Sequence, residues 1–360
     1  MKIAQIAPLC EPVPPRLYGG TERVVAHLSE ALVSLGHDVT LFASGDTWTR
    51  AKLASMRDQA LRLDPAPLKS DVAAHLAMLH RVRERSGEFD VLHFHIDLLH
   101  FPFFETIAER TLTTLHGRLD IKDLPGAYQR WPQYPLISIS DHQRRPLPAA
   151  NWFATVPHGV PTERFRFSEA PGEHLVFVGR FSPEKRPDRA IEIAQRACMQ
   201  LVLAAKVDPV DRPYFHAVVE PLLQGPYVEF VGEVDDQAKN ELLGRAAALL
   251  FPIDWPEPFG LVMIEALACG TPVIARRRGS VPEIITPGET GYIGETDDEM
   301  CEAVSRLDRI DRYRCRAEFE RRFTDTTMAQ RYVAVYQAVC EGEERPPVEV
   351  VERSRTPTAK

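Results

Sequence analysis

The chain lacks any pair of cysteines at the C-x-x-C spacing of a metal knuckle or redox motif. Its six cysteines, Cys10, Cys198, Cys269, Cys301, Cys315 and Cys340, are scattered along 360 residues. That argues against a disulfide-stapled or zinc-ribbon scaffold and reads as free thiols of a reducing compartment. No window approaches the roughly 18 consecutive apolar residues of a membrane-spanning helix. The opening run "MKIAQIAP" has no charged head followed by a long apolar segment, so no signal peptide is expected. A cytoplasmic protein without membrane contact is therefore expected. Positive charge is not in excess, with 43 Lys and Arg against 51 Asp and Glu, a net charge of −8. This disfavours nucleic acid as the main partner. There is no G-x-G-x-x-G, so the dinucleotide fingerprint is absent.

What is present is an ordinary globular composition, 44% hydrophobic and 26% charged, in a chain long enough for two domains of about 100–200 residues each. Apolar runs alternate with amphipathic stretches. "KIAQIA" (2–7) and "HDVTLFA" (37–43) read as strands, and between them Val24, Val25, Leu28, Leu32 and Leu35 recur at helical period, with Gly36 as a stop. A helix over 72–86 and strands over 89–95, 110–116 and 135–140 follow. The pattern breaks over 151–174, which is rich in proline and polar residues, and restarts with strands over 175–180, 200–205, 227–232, 247–252 and 271–276. Strands separated by helices imply parallel pairing. The expected fold is α/β, two doubly wound Rossmann-like domains facing a central cleft. Residues 1–165 form the first domain and 166–326 the second. A helix over 327–340 packs back on the first domain, and 341–360 form a disordered tail. In open α/β sheets ligands bind beyond the carboxyl ends of the strands, so the cleft is the expected site.

The stretch "WPEPFGLVMIEALACGTPVIA" (255–275) carries two acids, Glu257 and Glu265, in an otherwise apolar run. "LLFP" is a strand, "IDWPEPFG" the loop after its carboxyl end and "LVMIEALA" a helix closed by Gly270. Glu257 then sits in the loop and Glu265 inside the helix. The first free N–H groups, those of Phe259, Gly260, Leu261 and Val262, form an anion site of the kind a phosphate or sugar oxygen needs. Glu257 can accept from sugar hydroxyls, and Glu265 from a diol such as ribose. Arg180 and Lys185, five residues apart on the loop after "LVFVG", can both point into the cleft; standing alone they would read as surface charge. Gly19 and Gly20 leave amides exposed after the first strand that could approach a diphosphate or an acceptor; the alternative is a plain turn before the helix.

The combination of "EPFGLVMIEALACGTPVIA", "YGGTERVV" (18–25), "VGRFSPEKRP" (178–187) and "RRGSVPEII…GETGYI" (277–293) resembles the retaining glycosyltransferases of family 4, which have the GT-B fold. The resemblance covers nearly the whole chain up to the tail. It implies that Glu257 holds the transferred sugar and Glu265 the ribose. It implies that the amides from Phe259 to Val262 hold sugar hydroxyls and phosphate, with Gly19 and Gly20 on the donor side. Arg180 and Lys185 would neutralise the leaving diphosphate, and His116 would stand beside the donor sugar. Relatives usually carry glycine where Arg186 stands, which puts the geometry of that loop in question. The donor is expected to be UDP-glucose or a similar nucleotide sugar, and the acceptor a small molecule or saccharide built against the loops 8–20, 44–70, 95–105 and 117–134. Trp48, Trp131 and Tyr134 in those loops read either as stacking platforms or as loop packing. The chain has no Asp-x-Asp, the usual carboxylate pair for a metal-bridged nucleotide sugar, so no metal and no cofactor are expected. The resemblance also implies front-face attack, in which the departing phosphate takes the acceptor proton.

One motif points elsewhere. "VLHFHIDLLH" places His93, His95 and Asp97 on one face at strand period, a pattern that metallohydrolases use. A metal-dependent hydrolase is the competing reading, and hydrogen bonding of these three residues to an acceptor hydroxyl is the metal-free one. A non-catalytic module that only binds the nucleotide sugar is the third.

Overall fold

The computed structural model describes residues 1–17, 19–170 and 172–342. Strands β1 (Lys2–Ile6), β2 (Asp38–Ala43), β3 (Lys52–Ser55), β4 (Val91–Phe94), β5 (Thr111–Thr114), β6 (Leu136–Ser138) and β7 (Trp152–Thr155) form a parallel sheet in the order β3-β2-β1-β4-β5-β6-β7. A second parallel sheet holds β8 (His174–Arg180), β9 (Leu201–Lys206), β10 (Val228–Gly232), β11 (Ala246–Phe251), β12 (Val273–Arg276) and β13 (Gly291–Gly294), in the order β10-β9-β8-β11-β12-β13. The winding direction reverses between β1 and β4 in the first sheet and between β8 and β11 in the second. Those reversals open the crevices in which α/β folds bind ligands.

The helices that position the site are α1 (Gly20–Ser34), α2 (Asp71–Glu84), α3 (Pro187–Arg196), α4 (Asp236–Arg245), α5 (Leu261–Ala268), α6 (Arg312–Arg322) and α7 (Asp325–Glu341). Helix α1 buries Val24, Val25, Leu28 and Leu32. It stops where Gly36 takes φ 85. There the Gly36 N–H donates to the Val33 carbonyl at 3.0 Å and the His37 N–H to the Leu32 carbonyl at 3.1 Å, the paired bonds of a Schellman ending. Helix α7 buries Met328, Tyr332, Val335, Tyr336 and Val339 in one core with α1 and the first sheet. The chain thus returns to its first domain. Its two crossings lie side by side, with Val160 bonded to the Phe323 carbonyl at 2.9 Å and Asp325 to the Val160 carbonyl at 3.1 Å. A Cβ at Gly159 would stand 2.2 Å from the Thr324 carbonyl, so the close approach requires glycine there.

Several elements differ from the sequence reading. The stretch 151–174 is not all irregular, because Trp152–Thr155 is the edge strand β7, with Trp152, Phe153 and Ala154 buried. Four residues are too few for a period-2 signal beside the prolines and polar residues that follow. Lys52–Ser55, inside the stretch 44–70 read as loop, and Gly291–Gly294, to which the sequence reading gave no element, are the edge strands β3 and β13. The expected tail lies outside the described residues except for Glu341 and Gly342, which close α7. Among the described residues no helix is long and apolar enough to cross a membrane.

Candidate functional site

The carboxyl ends of both sheets face one cleft of about 620 Å³. The segments that carry the residues expected from the sequence leave strands at or next to a reversal point. Gly19 and Gly20 follow β1 and open α1. His116 follows β5, Arg180 ends β8 with Lys185 shortly after it, and Glu257 follows β11. Phe259, Gly260, Leu261, Val262 and Glu265 line the same cleft. Residues spread over 247 positions of sequence are therefore brought together by the two sheets.

The loop before α5 carries the acid. Gly260 caps the helix in left-handed conformation, φ 83. Helix geometry leaves the N–H groups just after it without intrahelical partners. The loop is fixed from both domains: Ser140 Oγ donates to the Pro258 carbonyl at 2.7 Å, and Ser280 Oγ to the Phe259 carbonyl at 2.8 Å. Glu257 is buried, and its carboxylate accepts from Lys185 Nζ and, at 3.1 Å, from Trp255 Nε1. The Lys185 ammonium also stands 4.8 Å from the Trp255 ring centroid. Glu265 is buried one turn into α5 and pairs with Lys239 of α4 at 2.7 Å. Lys239 reaches Asp236 at 3.3 Å, and Asp236 pairs with Arg23 of α1, so the acid inside α5 is linked by charges to the other domain.

Arg180 is more enclosed than its sequence position suggests. Its guanidinium lies among Glu184 at 2.8 Å, Asp211 at 3.1 Å and Asp208 at 3.6 Å. Arg186 occupies left-handed backbone, φ 53, and pairs with Asp188 at 2.8 Å. The loop keeps a conformation that favours glycine although arginine stands there.

His93, His95 and Asp97 do not form the cluster that their spacing suggests. Strand β4 ends at Phe94, and Asp97 lies past it in left-handed backbone, φ 51, which breaks the period that put all three on one face. His93 is fully buried away from the cleft, with one ring nitrogen on Tyr336 at 2.8 Å and the other on Thr114 at 2.8 Å. His95 is buried with its nitrogens on His116 at 2.9 Å and Gln5 at 2.7 Å. Among the described residues no three His, Cys, Asp or Glu side chains are gathered to hold a metal ion. His93 and His95 are thus buried beneath the site with both ring nitrogens of each already engaged. Of the residues read as stacking platforms or as loop packing, Tyr134 is buried and packs on Phe101 with ring centroids 4.1 Å apart, and Trp48 is exposed.

Other residues of the site had no signal in their own sequence neighbourhood. Lys239 and Trp255 partner the two acids from a distant helix and from within the loop. His158 stacks on His116 with centroids 5.2 Å apart and meets the edge of Phe259 at 4.9 Å. Gly279 is the sharpest case. A Cβ there would stand 2.2 Å from the carbonyl oxygen of Glu257 and 2.4 Å from its nitrogen, and φ is 55. The next residue, Ser280, donates its N–H to the Glu257 carbonyl at 2.9 Å. Gly279→Ala is expected to cost about 1–3 kcal/mol of stability and to depress turnover by moving Glu257. Denaturant unfolding and an activity assay on the same preparation check this; unchanged values for both would refute the close-approach argument.

Two doubly wound parallel-sheet domains that share this cleft have the GT-B architecture. The model of glycosyl transferases group 1 matches residues 161–318 and that of Glycosyltransferase Family 4 matches residues 18–164. The chain belongs to the family 4 glycosyltransferases and is a sugar-transferring enzyme. It is 27% identical over 382 residues to a phosphatidyl-myo-inositol mannosyltransferase of Mycobacterium leprae, covering 94% of this chain and 97% of the relative. Among solved structures, AviGT4, a glycosyltransferase involved in avilamycin A biosynthesis, superposes with a TM-score of 0.72 at 25% identity, covering 95% of this chain and 98% of that one. HepE of Anabaena in complex with UDP-glucose superposes with a TM-score of 0.72 at 17% identity, covering 94% and 100%.

Proposed function

We propose that the enzyme moves a hexose from a nucleotide sugar, UDP-glucose or a close analogue, to a small-molecule or saccharide acceptor, with retention of configuration and without a metal. The observation that carries this reading is the convergence of Glu257, Lys185, the amino end of α5 and Glu265 on one cleft. Breaking a glycosyl–phosphate bond builds negative charge on the diphosphate and positive character at the anomeric carbon. Lys185, Arg180 and the free amides around Gly260 and Leu261 are the groups that would stabilise the first. Such preorganised donors act where charge develops. Glu257 would grip the transferred sugar and Glu265 the ribose. With its partners already arranged, the departing phosphate can take the acceptor proton on the face from which it leaves.

Two ion pairs bear on this reading. Lys185 and Glu257 neutralise one another, and Lys239 does the same for Glu265. A donor that brings its own anion and its own hydroxyls would divide each pair between diphosphate and sugar. Glu265→Ala is expected to weaken donor binding about ten- to a hundredfold, the worth of a charge-assisted hydrogen bond or two, with a smaller change in kcat. Isothermal titration with UDP-glucose against the wild type measures it; equal affinities would remove Glu265 from the nucleotide site.

The test of the whole reading is a thermal-shift panel with UDP, GDP, ADP and their glucose and mannose conjugates, run with EDTA and then with manganese or zinc. Stabilisation by one nucleotide in EDTA is the expected result, and it identifies the donor base. A response that appears only with metal would overturn the metal-free reading.

A further inference from the structure

A continuous run of hydrogen bonds links the C-terminal helix to the cleft through the first sheet. Tyr332 meets Thr114 at 2.8 Å, and Thr114 meets His93 Nε2 at 2.8 Å. His93 Nδ1 meets the Tyr336 hydroxyl at 2.8 Å, and Gln5 Nε2 donates to that hydroxyl at 2.9 Å. Gln5 Oε1 meets His95 Nε2 at 2.7 Å, and His95 Nδ1 meets His116 Nε2 at 2.9 Å. Every member but His116 is buried, and His116 lines the cleft. The remaining ring nitrogen of His116, Nδ1, is itself buried and has no hydrogen-bond partner among the described residues.

The chain has a direction. Each neutral imidazole carries one N–H and one lone pair, and burial pulls the pKa of His93, His95 and His116 far below the usual histidine range. The Gln5 carbonyl oxygen can only accept, so His95 carries its proton on Nε2 and offers a lone pair at Nδ1. His116 must then carry its own proton on Nε2 to make the bond to His95. On the other side, the Gln5 amide donates to the Tyr336 oxygen. Tyr336 therefore donates to His93 Nδ1, and His93 donates from Nε2 to Thr114. One amide orientation sets three tautomers. Turning that amide over would reverse every donor and leave an N–H, in place of a lone pair, at His116 Nδ1.

We propose that Gln5 is a positioning residue that, through His95, fixes His116 as its Nε2–H tautomer and leaves a lone pair, a hydrogen-bond acceptor, at the buried Nδ1 of this cleft-lining ring. The group it suits is a hydroxyl of the transferred sugar, which donates, and not a phosphate oxygen, which cannot. This rests on the reading of His116 as a donor-sugar contact. His116 is thereby an acceptor for orientation, and Nδ1 holds no proton to give to a leaving oxygen. The polarity set at Tyr336 makes the seating of α7 on the first domain part of the same device.

The test reads the tautomer directly and needs no substrate. Long-range proton–nitrogen correlation spectra of the full chain labelled with ¹⁵N-histidine, assigned with His116→Asn and His95→Asn, report which nitrogen of each ring is protonated. His116 and His95 are expected as the Nε2–H form in at least about tenfold excess, the preference one buried hydrogen bond gives. In Gln5→Met, and separately in Tyr336→Phe, which deletes the phenol that anchors the amide, His116 is expected as a mixture of both tautomers. A wild-type His116 protonated at Nδ1 overturns the proposal, as does a folded Gln5→Met protein whose His116 keeps a single tautomer. The donor-sugar reading of His116 fails by a different result, full turnover by His116→Ala with the tautomer of the wild type as described.

Discussion

Lys185→Ala is expected to lower kcat/KM about 10²–10³-fold, the usual loss when one preorganised charge donor is removed from a reacting phosphate or oxyanion. The ammonium stands in the cleft with three neighbours that fix it: the Glu257 carboxylate, the Trp255 ring and, at 5.6 Å, the Phe251 ring. It is largely buried, so its attraction for a diphosphate is weakly screened. Arg180 cannot replace it, because its guanidinium is already divided among Glu184, Asp208 and Asp211. Two effects separate in a double-mutant cycle. Removing Lys185 alone also leaves Glu257 as a buried carboxylate without its cation, which costs stability. Glu257→Gln on top of Lys185→Ala relieves that cost and leaves turnover low. Kinetics and denaturant unfolding of the two single variants and the pair test this. Turnover by Lys185→Ala within a factor of three of wild type would show that the charge is carried elsewhere.

Below about pH 6 the protein is expected to lose stability steeply. His27 on α1 is buried, and neither of its ring nitrogens has a hydrogen-bond partner among the described residues. Burial, helped by the nearby Arg23 and Arg164, pushes its pKa down to about 3. Burial does the same to His116, also to about 3, and holds His93, His95, His100 and His158 well below the usual range. The sign follows from proton uptake. The unfolded chain binds these protons near pH 6.5 and the folded chain does not, so stability is complete above 6.5 and declines as pH falls towards 3. At pH 5, His27 and His116 alone account for about 2 kcal/mol each, a large part of a stability of about 5–15 kcal/mol. Glu22 and Glu283 act in the opposite sense, because burial raises their carboxyls and acid relieves a buried charge; they offset part of the loss. Urea unfolding at pH 7.5 and 5.0 measures the slope, and His27→Leu should flatten it. A wild-type stability equal at the two pH values would show that these histidines are charged in the folded state.

The sequence by itself determined what is local. Alternating apolar and amphipathic stretches specify parallel α/β layers, because buried strands and one-sided helices leave different periods in the chain. The placing of Glu257 before α5 and Glu265 within it also follows from one short segment, since strand end, loop glycine and helix period all lie there. Gly36 and Gly270 mark helix ends for the same reason: both have φ near 80, which other residues rarely adopt.

The tertiary structure decided what depends on residues far apart. Lys185 meets Glu257 across 72 positions, and Glu265 meets Lys239 of another helix. Neither pairing has a periodicity to read. The short edge strands β3, β7 and β13 take their form from the strand beside them and not from their own sequence. His93, His95 and Asp97 show the converse failure. Their spacing assumed a strand that continued, but β4 ends at Phe94 and the chain turns through left-handed backbone at Asp97. Gly279 looks like any turn glycine until the backbone of Glu257 is found against it. Gln5, a polar residue in an apolar strand, reads as an anomaly, and only the folded chain brings Tyr336 to one side of its amide and His95 to the other. The physical reason is the same in each case. Local periodicity reports which face of an element is buried, but a hydrogen bond or ion pair between elements is set by how the sheets and helices stack, and no single segment contains that information.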